Sequence, residues 1–206
     1  MESSFRDTCP DDLRVIETLC YDPAAGMMRR DLHLARMALT CARLSIPLDQ
    51  PQVLTHLAGI GGSDRLRVRI SIGRTGDIDL VCHPLPDQPA IWRVAISPDR
   101  LRSDDPWLSV KTTVRRLYDN ARAALPDGVD EVIFLNERAE VCEGTISNIF
   151  VASGDRLLTP PVSCGLLPGI LRETLLRDGT AEAAVLKVAD LAAAPAVFVG
   201  NSARGL

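Results

Sequence analysis

Residues 65–82 read RLRVRISIGRTGDIDLVC: polar and apolar side chains alternate, stop at Arg-Thr-Gly-Asp, and alternate again. A period of two sends successive side chains to opposite faces, and two such runs around a short Gly-containing break form a hairpin. An antiparallel sheet in the first half of the chain is the minimum that this pattern demands. Residues 13–21 (LRVIETLCY) supply a further strand. The pattern then changes period: residues 31–44 (DLHLARMALTCARL) are apolar at helical spacing, with Asp31 placed to cap the helix. Pro51 opens a second short helix to about residue 57, and residues 90–96 form another strand.

Residues 97–109 (SPDRLRSDDPWLS) are polar, contain proline and have no period. They read as a link between two lobes, with domains over residues 1–100 and 101–206. Past the link, residues 112–125 are helical until Pro-Asp-Gly breaks them. Strands follow at 131–135, 146–152 and 156–159. Pro168 opens a helix to about residue 177, and strands at 184–188 and 197–199 complete the pattern. The fold class is α+β in two lobes.

The formal charge is −4, and the arginines are spread among acids. That gives no electrostatic case for nucleic acid or an anionic membrane as partner, and leaves room for a small-molecule substrate, an anion held by a few placed arginines. Six cysteines, at 9, 20, 41, 82, 142 and 164, make no CxxC pair and have no histidine at ligand spacing, so no metal site is expected. Cys20, Cys41 and Cys82 lie in apolar runs, where a thiol acts as a small hydrophobe. The polar, acidic start and the lack of a long apolar stretch imply a cytoplasmic chain.

Four pieces carry chemistry when taken together. Lys111 stands in LSVKTTVRRLYD, just before a helix. Glu143 stands in VCEGTISNIF, between two expected strands. LLPGILRETLL starts a helix at Pro168 and Gly169 whose unsatisfied amides suit an anion. Arg36 lies on the polar face of the helix DLHLARM.

This set resembles the class IV enzymes dependent on pyridoxal 5′-phosphate (PLP), which include branched-chain and D-amino acid aminotransferases and 4-amino-4-deoxychorismate lyase. In that family a lysine before a helix is followed about thirty residues later by E-G-x-x-S-N-[LIV]-F, matched here by Lys111 and by EGTISNIF from Glu143. The helix start P-G-[IV]-x-R is matched by Pro168, Gly169, Ile170 and Arg172, and H-[LIY]-x-R by His33, Leu34 and Arg36. The resemblance spans about residues 13–205. It implies a compact, two-lobed, D-amino acid aminotransferase-like fold whose small first domain carries the phosphate-contacting helix. The larger second domain would hold the cofactor and its lysine.

It also implies roles. Lys111 binds the cofactor's aldehyde through its amine and moves protons. Glu143 faces the pyridine nitrogen and keeps it protonated. Arg36, the amides of Ile170 and Leu171, and the Ser202 hydroxyl receive the phosphate. Asn148 belongs to the cofactor set by fixing the loop that carries Glu143. The family is typically homodimeric.

Within the family, KTTVRRLYD, VIETLCYDPAAGMMRRDLHLARM and FVGNSARGL resemble the lyase-like members. This implies conversion of 4-amino-4-deoxychorismate to 4-aminobenzoate and pyruvate, a step of folate biosynthesis. Arg67 and Arg69, on one face of an expected strand, and Arg115, one helical turn after Lys111, are candidates for the substrate's carboxylates. An amino acid aminotransferase would use the same residues. A PLP-binding protein without turnover is the third reading, motivated by the missing R-G-x-x-F-G-D-G turn ahead of the first strand and the stop at Leu206.

Overall fold

The computed structural model describes residues 9–87 and 89–206. Its contacts divide the chain into two compact units: residues 9–87 with Val110–Val114, and Pro89–Ser109 with Arg115–Leu206.

The first unit is built on β1 (Arg14–Asp22), β2 (Gly26–Met27), β3 (Leu66–Gly73) and β4 (Ile78–Pro84), an antiparallel sheet in the order β2-β1-β3-β4. β3 pairs with β1 from Arg14↔Gly73 to Tyr21↔Leu66, and with β4 from Leu66↔Pro84 to Ile72↔Ile78. Val68, Ile70 and Ile72 share one face and are fully buried with Val15 and Leu19. Each such side chain contributes about 1.5–3 kcal/mol by leaving water. Helix α1 (Arg30–Leu44) packs on β1 and buries Leu34, Met37 and Cys41. The cap differs from the expected one. Arg29, in the left-handed region at φ 52°, occupies the N-cap without a side-chain hydrogen bond, and Asp31 lies inside the first turn, where its charge suits the helix dipole. Helix α2 (Gln50–Ala58) begins as Pro51 suggests, with the Asp49 carboxylate accepting from the Gln52 amide at 2.9 Å.

Val110–Val114 returns to this unit and lies against β1. The Ile16 amide donates to the Lys111 carbonyl at 2.9 Å, Thr113 N–H donates to the Arg14 carbonyl at 2.9 Å, and Thr112 bridges Val15. Lys111 therefore stands with the first unit, not with the second as the division at residue 100 expected. Residue 100 is also inside a strand. β5 (Val94–Leu101) stays paired in parallel with β6 (Glu131–Asn136) at Arg100↔Leu135 and Leu101↔Asn136, after a register shift past Ile96. The shift absorbs Pro98, and this is why the polar stretch read as linker.

In the second unit the strands β7 (Val141–Gly144), β8 (Asn148–Ser153), β9 (Arg156–Thr159) and β10 (Ala181–Ala183) extend the sheet in the order β10-β9-β8-β7-β6-β5. β11 (Val197–Gly200) pairs with β8 from Val197↔Val151 to Gly200↔Asn148. Both faces of β6 are buried. Val132 and Phe134 join Leu101, Leu108, Cys142, Cys164 and Leu166, while Ile133 and Leu135 join Val141, Ile149, Val151 and Leu186. Helices α3 (Arg116–Ala123), α4 (Ile170–Arg177) and α5 (Val188–Ala193) complete it. The strand expected at 184–188 lies instead at Ala181–Ala183. The Ala-rich stretch starts a helix because the Asp190 carboxylate accepts from the Lys187 amide at 2.7 Å.

Candidate active site

In the first unit the chemistry is gathered where α1 meets β1. Glu17 is buried on β1, on the face of Val68 and Ile70, and takes two partners from α1. His33 Nδ1 donates to its Oε2 at 2.6 Å. Arg36 donates from Nε to Oε1 at 2.8 Å and from Nη2 to Oε2 at 2.7 Å, a side-on fork. His33 and Arg36 are three residues apart and so share one helix face. Burial pushes the Glu17 carboxyl up, but the Arg36 charge and the two hydrogen-bonding partners outweigh it and bring it down to about 2. His33 is lowered, chiefly by burial and further by the Arg36 and Lys111 charges, against the pull of Glu17. The fork uses the Nε/Nη2 edge of the guanidinium. Lys111 lies within electrostatic range of His33, its backbone fixed to β1.

In the second unit Glu143, on β7, is buried, and the Tyr118 hydroxyl of α3 donates to its Oε1 at 2.6 Å. The loop after Glu143 is anchored by a second buried carboxylate, Glu131. Its Oε1 accepts from the Thr145 amide at 3.0 Å and the Thr145 hydroxyl at 2.6 Å, and its Oε2 accepts from the Ser147 hydroxyl at 3.2 Å. A side chain at Gly144 would bring a Cβ within 2.9 Å of that carboxylate, so the E-G pair needs its glycine. Asn148 Nδ2 donates to the Leu167 carbonyl at 3.0 Å, tying β8 to the lead-in of α4. A Cβ at Gly169 would stand 1.9 Å from Asn148 Oδ1. Gly169 is the N-cap of α4 and uses no side chain to cap it, so the helix opens with the amides of Ile170 and Leu171. Asn201 Nδ2 donates to the Ile146 carbonyl at 3.1 Å, which holds the turn bearing buried Ser202 against the same loop.

Within the second unit the fold thus connects Glu143, Asn148, the start of α4 and the Ser202 turn through contacts with the loop 144–147 and β8. Arg36 and Lys111 belong to the first unit. Arg67 and Arg69 are exposed on β3, opposite Cys20 and Thr18, so alternation puts them on the sheet face away from Glu17. Arg115 is engaged locally: its Nε donates to Asp119 Oδ1 at 2.8 Å and its Nη2 to the Thr145 carbonyl at 2.9 Å.

The sequence did not single out Glu17, Glu131, Tyr118 or Asn201. Glu17 stands in the quoted VIETLCY, but a carboxylate in an apolar strand gave its only signal, and its partners lie 16 and 19 residues away. Cys82, expected among buried apolar residues, is exposed on β4, whereas Cys20 and Cys41 are buried as read. Among the described residues there is no cluster of three or more His, Cys, Asp or Glu side chains arranged to hold a metal. No helix among them is long and apolar enough to cross a membrane.

Comparison with known proteins adds a family. The sequence pattern of amino-transferase class IV matches residues 14–206. The aminodeoxychorismate lyase of Saccharomyces cerevisiae is 24% identical over 186 residues, covering 68% of this chain and 50% of its own. The chain therefore spans half the length of that relative. A Mesorhizobium loti protein, named a candidate amino-acid aminotransferase, has a crystal structure that superposes with TM-score 0.88 at 39% identity, covering 95% of this chain and 97% of that one. The 4-amino-4-deoxychorismate lyase of Pseudomonas aeruginosa superposes with TM-score 0.75 at 24% identity over 97% of this chain and 83% of its own, a likeness of fold.

Proposed function

The chain belongs to the class IV aminotransferase family of PLP-dependent enzymes, and from that premise we propose that it is a 4-amino-4-deoxychorismate lyase forming 4-aminobenzoate and pyruvate. One observation carries the choice of lyase. The two lyase-like segments, KTTVRRLYD and NSARGL, both contact the EGTISN stretch: Tyr118 donates to Glu143, and Asn201 donates to the carbonyl of Ile146. The similarity to the yeast lyase over most of this chain supports the same reading.

The residues present fit PLP. The first turn of α4 carries no side-chain cap, and its Gly169 has no room for a side chain, which leaves backbone amides as donors for a phosphate. Glu143 is a buried carboxylate of the kind that stabilises a pyridinium. These 206 residues contain two lysines, Lys111 and Lys187. Lys187 is exposed, its Nζ donating to the Arg138 carbonyl at 2.8 Å, which leaves Lys111, near His33 and Glu17, to hold the cofactor.

PLP, when bound, supplies an aldehyde that captures amines and a ring that accepts electrons. Lys111 would hold the aldehyde through its amine and, once free, would take the proton from the amine-bearing carbon. Glu143 keeps the ring nitrogen protonated. Arg36, the Ile170 and Leu171 amides and the Ser202 hydroxyl bind the phosphate, and Asn148 keeps α4 in place to do so. Arg67, Arg69 and Arg115 are the arginines offered to the substrate carboxylates. The resemblance also argues for a cytoplasmic homodimer serving folate biosynthesis.

Given 4-amino-4-deoxychorismate made in situ, the protein should release 4-aminobenzoate and pyruvate in equal amounts without a keto-acid acceptor. The second reading, an amino acid aminotransferase, is favoured by the name of the Mesorhizobium loti relative. It predicts that leucine, glutamate or D-alanine alone converts the cofactor to pyridoxamine phosphate, with turnover stalled until an acceptor arrives. That result, with no 4-aminobenzoate formed, overturns the lyase reading. A PLP-binding protein without turnover would give neither product, and the intact set of Lys111, Glu143 and Arg36 argues against it.

A further inference from the structure

Tyr118 stands in a sequence segment that resembles the lyases but has no role there. Its surroundings give it one. The ring meets Phe134 edge-on, with centroids 5.2 Å apart and planes at 75°, and Phe134 is fully buried on β6. The Arg115 guanidinium lies 5.6 Å from the Tyr118 centroid, and is itself held by Asp119 and the Thr145 carbonyl. A ring gripped in this way has little freedom to swing, so the hydroxyl is delivered to Glu143 Oε1 at 2.6 Å.

We propose that Tyr118 is the positioning residue for Glu143: its hydroxyl locks the carboxylate's orientation and, by donating to it, holds it as an anion toward the ring nitrogen of the cofactor. This rests on the PLP assignment made above. A hydrogen bond from a neutral donor favours the ionised form of a carboxylate and fixes which oxygen is committed. The donor is dependable, because burial, and then the Glu143 charge, push the phenol far above its ordinary range, so it stays protonated wherever the enzyme works. Three titratable groups near the pair act consistently. Arg172 on α4, whose Nε and Nη2 donate to the Pro160 carbonyl, adds a positive field felt by Glu143. Cys142 on β7 is pushed upward by burial and stays a neutral thiol. Arg115 adds positive charge over the ring.

The experiment is a double-mutant cycle on the holoenzyme, read in PLP affinity, rate and pH profile. Tyr118→Phe keeps the ring and its packing on Phe134 and removes only the hydroxyl. It should lower kcat about tenfold, the value of one hydrogen bond to a charged group, while KM moves less than about threefold. The acid limb of the rate profile should move to higher pH, because Glu143 loses a donor that favours its anion. In a Glu143→Gln background the same substitution should change neither the rate nor the affinity for PLP by more than about twofold. A merely structural tyrosine gives a different pattern: its cost persists in the Glu143→Gln background and leaves the pH profile in place. That pattern, or a Tyr118→Phe protein with wild-type kcat and profile, overturns the role. Wild-type protein that binds no PLP overturns the parent reading and this one with it.

Discussion

Glu17 and Glu143 are both buried carboxylates on sheet strands, one in each unit, yet they are held by opposite means. Glu17 is gripped by a guanidinium fork and an imidazole, all from one face of α1. Glu143 receives a neutral phenol at 2.6 Å and feels the field of Arg172. A buried carboxylate with a cation directly against it is neutralised where it stands, and removing its partner leaves an uncompensated charge. A carboxylate oriented by a neutral donor keeps its negative charge for whatever else meets it. On the reading proposed above, Glu17 would arm and aim Arg36, and Glu143 would offer charge to a ligand.

The largest test falls on the lysine. Lys111→Ala should abolish covalent trapping of PLP by borohydride and all turnover, with the fold intact by circular dichroism. A pyridoxyl adduct mapped to Lys187 in the wild-type protein would remove Lys111 from the site. Next, Glu17→Gln should cost about 3–5 kcal/mol in urea unfolding, because the Arg36 fork and His33 lose the buried charge they bond to. Glu143→Gln should cost less than about 1 kcal/mol, since a neutral amide can still accept from Tyr118. Equal costs would erase the distinction between the two carboxylates.

Activity should reverse the order of these two residues. Glu143→Gln should keep PLP bound and slow turnover by at least about 10²-fold, because an unprotonated pyridine is a poor electron sink. Near wild-type turnover would reduce Glu143 to a turn residue. Arg36→Ala should weaken PLP affinity far more than it changes turnover at saturating PLP, and unchanged affinity would count against a phosphate role.

The same contrast sets a pH dependence. The folded Glu17 carboxyl, at about 2, lies below its ordinary value of 4.5. Its contribution to stability, about 3 kcal/mol, is therefore present above pH 4.5 and is lost as pH falls toward 2. His33, lowered mainly by burial, acts in the same direction, because the unfolded chain takes its proton first as pH drops below the ordinary imidazole value. Urea midpoints measured from pH 7 to pH 2 should fall steadily in the wild type, and Glu17→Gln should flatten the part below pH 4.5. The smallest effects belong to the exposed arginines of β3. Arg67→Ala and Arg69→Ala should change stability by under about 0.5 kcal/mol and raise KM rather than lower kcat. An unchanged KM would leave them as solvated residues on an outer face.

Much of this was legible in the chain, and in a particular way. The hairpin of β3 and β4 follows from alternation alone, since one buried face enforces a period of two. The start of α4 follows from Pro168 and Gly169. Lys111, Glu143 and Arg36 were legible only as a spaced set. Polar strands were the least legible. Arg100 and Leu101 pair with β6 although a proline stands just before them, because the register shift past Ile96 absorbs it, and β7 is too short for alternation to show.

The sequence by itself determined which side chains the fold would have to bury, where the chain would turn, and which residues were spaced for a PLP site. Tertiary structure decided how the buried charges are satisfied. Glu131 reads as an ordinary acid after Asp130, yet it anchors Thr145 and Ser147, 14 and 16 residues on. Tyr118 reads as one aromatic on a polar helix, yet it reaches Glu143 across 25 residues. Tertiary structure also decided that Lys111 stands with the first unit, through backbone hydrogen bonds from Ile16 to Lys111 and from Thr113 to Arg14, nearly a hundred residues apart. Periodicity records only which face of an element is apolar. A hydrogen bond between distant side chains leaves no period, and forms only once packing has brought donor and acceptor within 3 Å.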